Sequence, residues 1–352
     1  MTITNIVLCG GGPVGYVQFG IFKELIENKY INYKDIENIY SVSIGTITGL
    51  ILLLELELLD IENYIINRPL DKLLHISNYD YLNMFYTKGL YDINLIRKFI
   101  EPLLKTNNLS IDITLIELYN VTKKKFNIFA TNLNKIELVN FNYITYPEYK
   151  LVDCIYMSCC FPGMFRPYFI NNECYIDGGI LSNCPYNECI KDTNMEYKNT
   201  LIIINKRNLT IDYKQTIKEY NILNNLKSNE EDISNNIIQH KENDISQNDI
   251  SQNNKSQNNI YENTNIISYF IFIMRQLVSK IYMIENINSN EYYITDIERY
   301  KINCCYSNNL SSIFDWIKIL TNKDSDKETK TDLIHYGEII GKRFLSDIKP
   351  IS

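Results

Sequence analysis

Near its start the chain runs twice from a short apolar segment into a turn of small residues and then into a helical pattern. The second instance, Ile39-Tyr40-Ser41-Val42-Ser43-Ile44-Gly45-Thr46-Ile47-Thr48-Gly49, constrains the fold most. A serine at a sharp strand-to-helix turn has its hydroxyl lifted above the sheet edge, and the helix that follows offers backbone N–H groups to a developing oxyanion. Ser41-x-Ser43-x-Gly45 meets the small-residue demand of such a turn, with serine in place of the first glycine. Alone, the segment reads equally well as a strand end with Ser43 capping a helix. The rest of the chain decides between the two.

In the first instance Asn5-Ile6-Val7-Leu8-Cys9 meets Gly10-Gly11-Gly12-Pro13-Val14-Gly15, and Val17, Ile21, Phe22, Leu25 and Ile26 follow at helical spacing. This reads as strand, glycine loop and helix. Gly10-x-Gly12-x-x-Gly15 matches the dinucleotide-binding spacing, which requires an acidic residue at the end of the next strand to hold a ribose. That strand ends in Ser43 and Gly45, and Asp35 and Glu37 precede it, on the wrong side. The other use of such a loop is as an oxyanion hole, its N–H groups aimed beside a nucleophile.

Further on, Thr46 to Asn67 reads as the buried helix after the turn, and Glu55, Glu57 and Asp60 rule out a membrane span. Lys88-Gly89-Leu90-Tyr91-Asp92 reads as a turn into a helix at Ile93 to Leu104, and Phe126 to Thr131 as a buried strand. A helix from Leu151 is stopped at Pro162-Gly163. Glu173 to Ile176 is a strand closed by Asp177-Gly178-Gly179, by itself only a turn, and Thr200 to Asn205 is one more buried parallel strand.

Residues 227–265 change character, with Asn and Gln supplying more than a third and Ile-Ser-Gln-Asn recurring at Ile245 and Ile250. Such a segment cannot offset its ordering entropy and is expected to be a disordered insertion. Residues 266–284 return to apolarity, as a helix packing on the sheet or lying on a membrane surface. A last amphipathic helix covers 332–345. The domain reading is a core over 1–206, the insertion over 227–265 and a C-terminal helical segment over 266–347.

The formal charge of −7 gives no reason to expect a nucleic-acid partner, and the basic run Lys123-Lys124-Lys125 reads as a solvated turn. Nine cysteines without zinc-ligand spacing speak against a metal site. With no signal-peptide pattern at the N-terminus, they point to a reducing compartment, cytoplasmic or membrane-peripheral.

Three segments therefore stand in order: Gly10-Gly11-Gly12-Pro13-Val14-Gly15, Ser41-Val42-Ser43-Ile44-Gly45, and Asp177-Gly178-Gly179-Ile180-Leu181-Ser182-Asn183-Cys184-Pro185. This order resembles the patatin-like phospholipase family. Lys88 to Asp92 and Ser158-Cys159-Cys160-Phe161-Pro162-Gly163-Met164-Phe165 look like its intervening blocks. The resemblance implies a three-layer α/β fold of patatin type, with a mainly parallel central sheet and helices on both faces. It implies a dyad without histidine, Ser43 the nucleophile and Asp177 the base, in keeping with His75, His240 and His335 lying in no motif. The implied oxyanion hole is Gly10, Gly11, Gly12 and Ile44. Gly15, Gly45, Gly178, Gly179 and Asn183 are supporting residues, Asn183 bracing the Asp177 turn. Neither a cofactor nor a metal is implied. The implied substrate is a fatty acyl ester, most often of a glycerophospholipid, with peripheral membrane contact through 266–284. Ser41 stands where the family has glycine, and Val14 where its loop often carries Arg or Lys. Serine is small enough that the elbow is expected to survive with some strain. The alternative reading is a weakened or inactive relative kept for lipid binding or scaffolding.

Overall fold

A computed structural model of the chain describes residues 2–75, 77–193, 197–206, 213–230, 301–305 and 326–348. Strands β1 (Asn5–Leu8), β2 (Asn38–Val42), β3 (Gly89–Tyr91), β4 (Lys125–Asn132), β5 (Glu137–Phe141), β6 (Gly163–Phe165), β7 (Tyr168–Ile170), β8 (Glu173–Asp177), β9 (Thr200–Ile204) and β10 (Lys301–Asn303) alternate with helices. The helices are α1 (Val14–Glu27), α2 (Ile44–Leu53), α3 (Leu58–Asn67), α4 (Leu70–Leu73), α5 (Asn78–Thr87), α6 (Ile93–Thr106), α7 (Leu115–Thr122), α8 (Leu151–Cys159), α9 (Tyr186–Asp192), α10 (Tyr213–Glu230) and α11 (Asp326–Ile348).

The main sheet is mostly parallel, as expected, with β10, β9, β1, β2 and β4 paired in that order. Both faces are covered, so its strands read as apolar runs whose alternate residues serve different cores. Ile6, Leu8, Ile39, Ile128, Leu201 and Ile203 face the larger core, with α1, α2, α8 and α11. Val7, Tyr40, Val42, Phe129 and Ile202 face a smaller one with Cys189 and Ile190 of α9. The Tyr40 hydroxyl donates to Asp192 at 2.6 Å and so pins α9 to the sheet.

Strand β4 organises the site. It pairs with β5 through Ile128 to Asn132 and with β2 through Lys125 to Phe129, so β5 and β2 occupy opposite edges. Antiparallel β8 pairs with Ala130 to Asn132, which β5 also faces, so β8 must lie on the β2 edge. Strands β2 and β8 therefore meet end to end along one edge of β4. Val42 stops opposite Phe129, and Asp177 begins opposite Ala130.

Several local expectations change. The single helix expected over Thr46 to Asn67 is two, α2 and α3, broken at an exposed Glu55 with φ +53°. Glu55 leaves the helical path to pair with Lys124 at 2.7 Å. Lys124 is consequently buried, and Lys125 pairs with Asp192, so the basic run is mostly structural rather than solvated. Gly89–Tyr91, expected as a turn, is β3 and pairs with β6 before Asp92 caps α6. Among the described residues no helix is long and apolar enough to cross a membrane. Helix α10 runs to Glu230, and the remainder of the expected insertion over 227–265, together with the apolar stretch 266–284, lies outside the described residues.

Candidate active site

Ser43 is the pivot between β2 and α2, with φ +52° and ψ −129°. A side chain in this sparsely populated region costs about 1–3 kcal/mol. The conformation lets α2 rise directly off the strand end. Gly45 makes the sharp turn possible, because a Cβ there would stand 2.8 Å from the Cys9 carbonyl oxygen and 2.9 Å from that of Leu8.

The end-to-end meeting of β2 and β8 brings Ser43 and Asp177 together across 134 positions of sequence, and the Ser43 hydroxyl donates to Asp177 Oδ2 at 2.6 Å. The other carboxylate oxygen, Oδ1, accepts the Gly179 N–H at 2.7 Å. Asp177 is only 3% exposed. Burial pushes its carboxyl up to about 6, with the Ser43 and Gly179 hydrogen bonds pulling the other way. A carboxylate poised there accepts a proton from a hydroxyl more readily than an ordinary one. Among the described histidines, His335 is on α11, bonded to Glu338, and His75 is exposed before α5.

The glycine loop lies alongside. A Cβ on Gly10 would be 3.0 Å from Ser43 Cβ, and Gly11 and Gly12 have φ of +147° and +58°. Gly10 itself differs from expectation, since its N–H already donates to the Asn183 carbonyl at 3.0 Å and is not free for an oxyanion. The N–H groups left for that task are those of Gly11, Gly12 and Ile44, the last being the first residue of α2, where the helix dipole adds positive potential. Gly15 sits against Ile44, and Gly178 against the Phe129 carbonyl. Asn183 Nδ2 also donates to the Gly10 carbonyl, at 3.4 Å, so Asn183 ties the Asp177 turn to the glycine loop.

Both departures noted in the sequence have places here. The Ser41 hydroxyl is buried and donates to the Asn127 carbonyl at 3.2 Å, and Ser41 is not among the residues with positive φ. The strain expected of the elbow thus lies at Ser43. Val14 is 3% exposed and packs under the loop, 3.0 Å from where a Gly11 Cβ would be.

Three residues of the site escape sequence reasoning. Gln18, fully buried, donates to the Cys9 carbonyl at 2.9 Å and accepts from Thr48 at 2.9 Å, joining the loop base to α2. Asn205, after β9, places Nδ2 2.7 Å from a Gly11 Cβ position. Ser158, on α8, accepts the Ser43 N–H at 2.9 Å. A polar residue within an apolar helix or after an apolar strand was the available signal.

The family model described as patatin-like phospholipase matches residues 6–190, a span that holds Ser43, Asp177, the glycine loop and Asn183. The chain belongs to the patatin-like phospholipase family. It is 30% identical over 226 residues to the probable lipid hydrolase 463L of Invertebrate iridescent virus 6, covering 63% of this chain and 76% of the relative. It is 26% identical over 183 residues to the uncharacterized protein R571 of Acanthamoeba polyphaga mimivirus, covering 52% of this chain and 60% of that one. The patatin-like chain thus spans less than two thirds of the mimivirus protein's length. The crystal structure of VipD from Legionella pneumophila shares the fold, with a TM-score of 0.52 at 15% identity over 99% of this chain and 67% of that one.

Proposed function

We propose that this patatin-like chain is a lipid acyl hydrolase of phospholipase A type, working through a serine acyl-enzyme. The observation that carries the reading is the 2.6 Å hydrogen bond from a strained, half-buried serine to a buried carboxylate. Ser43 Oγ attacks the ester carbonyl carbon while its proton passes to Asp177 Oδ2. The tetrahedral oxyanion is held by the Gly11, Gly12 and Ile44 N–H groups, each such donor contributing about 2.7–4 kcal/mol. Collapse expels the alkoxide of the lysolipid or alcohol, which takes the proton from Asp177. Water then attacks the acyl-enzyme, giving its proton to the same carboxylate, and the fatty acid leaves as Ser43 recovers the proton.

Family membership and a relative named as a probable lipid hydrolase support a lipid substrate, read as a fatty acyl ester. Such esters reside in lipid aggregates, so the protein works at a surface. With a net charge of −7 it approaches an anionic bilayer through apolar contact rather than bulk charge.

The test is reaction with a fluorophosphonate probe, with Ser43→Ala and Asp177→Asn beside wild type, and fatty-acid release from mixed phospholipid vesicles. Labelling and release that vanish together in both variants are the expected result. A folded wild-type protein that neither labels nor releases fatty acid would overturn the reading in favour of a lipid-binding role.

A further inference from the structure

Strand β2 leaves the sheet at Ser43, and β8 enters at Asp177 on the same edge of β4. Between them is a seam with one rung missing. The phase of the ladder is fixed by the Lys125 N–H donating to the Glu37 carbonyl at 2.8 Å. Stepping up that parallel ladder two residues at a time sets the Ser43 N–H against the Phe129 carbonyl. The elbow turns Ser43 away from a regular strand, and the two groups are joined by a side chain instead. Ser158 Oγ accepts from the Ser43 N–H at 2.9 Å and donates to the Phe129 carbonyl at 2.6 Å, with Ser158 wholly buried.

Two residues further along, the Cys160 carbonyl accepts the N–H of Asp177 at 3.1 Å. The end of α8 and the residue after it thus hold the main chain of both the nucleophile and the base. Helix α8 is a firm support, for all of its residues except Asp153 are buried. From this geometry we infer that Ser158 is a positioning residue: its hydroxyl takes the place of the missing rung and, with the Cys160 carbonyl, sets the distance from Ser43 Oγ to Asp177. The inference rests on the Ser43–Asp177 reading of the reaction.

A bare cavity filler at this position would be served by any small residue. A bridge needs one group that accepts and donates at once, which a hydroxyl does and a methyl cannot. Without it, the buried Phe129 carbonyl and the Ser43 N–H lose their shared partner, and the strained Ser43 conformation loses the bond that holds its amide. The main chain then relaxes, and Oγ drifts from Asp177. Because the Ser43 hydrogen bond lowers the Asp177 pKa, loosening it moves the acid limb of activity to higher pH.

The experiment compares wild type, Ser158→Ala, Ser158→Thr and Ser158→Cys in the full chain. It reads the rate of fluorophosphonate reaction at Ser43, kcat and KM on a soluble short-chain ester, and the pH profile. Ser158→Ala is expected to react at least about tenfold more slowly, the rate equivalent of one modest hydrogen bond, with kcat reduced, KM unchanged and the acid limb shifted upward. Ser158→Thr, which keeps the hydroxyl, is expected to recover most of the rate. Should the alanine variant not fold, Ser158→Cys preserves the volume with a poor hydrogen-bonding group, and slow labelling of that folded variant supports the bridge. Labelling of Ser158→Ala, or failing that Ser158→Cys, at the wild-type rate overturns it, as does slow labelling with an unmoved pH profile. Wild-type protein that does not label at Ser43 overturns the hydrolase reading and this inference with it, whereas normal wild-type labelling with an indifferent Ser158 variant overturns this inference alone.

Discussion

The Asn183 carbonyl accepts the Gly10 N–H at 3.0 Å, and the Asn183 side chain returns a bond to the Gly10 carbonyl at 3.4 Å. The loop after Asp177 and the glycine loop beside Ser43 are thereby one unit. Asn183→Ala keeps the main-chain bond and loses the side-chain one. We expect it to fold with near wild-type stability and to slow fluorophosphonate labelling by about tenfold, as a loss of ~1.4 kcal/mol in the transition state would. Labelling at the wild-type rate would show that the main-chain bond alone fixes the loop.

Asp177 makes activity and stability move in opposite directions with pH. Its carboxyl, raised by burial from 3.8 to about 6, must be ionised to act as a base, so kcat/KM is expected to fall as pH drops through about 6. Between 3.8 and about 6 the folded protein binds a proton that the unfolded chain does not. By linkage, this group adds stability as pH falls through that window and withholds it above, the reverse of a salt-bridged carboxylate. Asp177→Asn should therefore be inactive and, at about pH 8, more stable than wild type by on the order of 1–3 kcal/mol. Urea unfolding of both proteins at several pH values measures it, and equal midpoints at all of them would refute the shift.

Strain at Ser43 separates two variants that the proposed mechanism makes inactive. Ser43→Ala retains a Cβ at φ +52°, whereas glycine occupies positive φ without that penalty. Ser43→Gly is expected to be more stable than Ser43→Ala by about 1 kcal/mol, a Tm difference of roughly 1–2 °C for a chain of this size. Differential scanning calorimetry of the pair decides it.

The parallel strands, the glycine loop and the elbow were legible because each is written locally, as an apolar run meeting small residues. What joins them was not. Residues 128–132 of β4 show no sign in sequence that one edge passes from β2 to β8, yet that handover is why Ser43 meets Asp177. The resemblance supplied this pair before any geometry did. Gly10 looked equivalent to Gly11 and Gly12, because sequence does not tell which amide in a glycine run is already engaged. Gln18 and Ser158 were hidden for a similar reason, their partners lying on other elements: the Cys9 carbonyl and the Thr48 hydroxyl for Gln18, and the Ser43 N–H for Ser158. The helix break at Glu55 was marked by charge, but the burial of its partner Lys124 depends on tertiary packing.

Ser41, with Val14, is a residue on which an inactive-relative reading turns, and its surroundings give that reading a sharp test. If serine at this position distorted the elbow, Ser41→Gly would release activity from near zero. The geometry predicts otherwise. Ser41 is in regular strand pairing with Leu8 and Ile128, and its hydroxyl has a buried acceptor in the Asn127 carbonyl. Removing it forfeits a hydrogen bond and adds backbone freedom to the unfolded chain, which together lower stability by about 1–2 kcal/mol. Ser43 and Asp177, whose main-chain N–H groups are held by Ser158 and Cys160 at the end of α8, are left where they were. Ser41→Gly is accordingly expected to label at the wild-type rate while unfolding at lower urea. A large gain in labelling would place the strain at Ser41 after all and mark the wild-type site as degenerate.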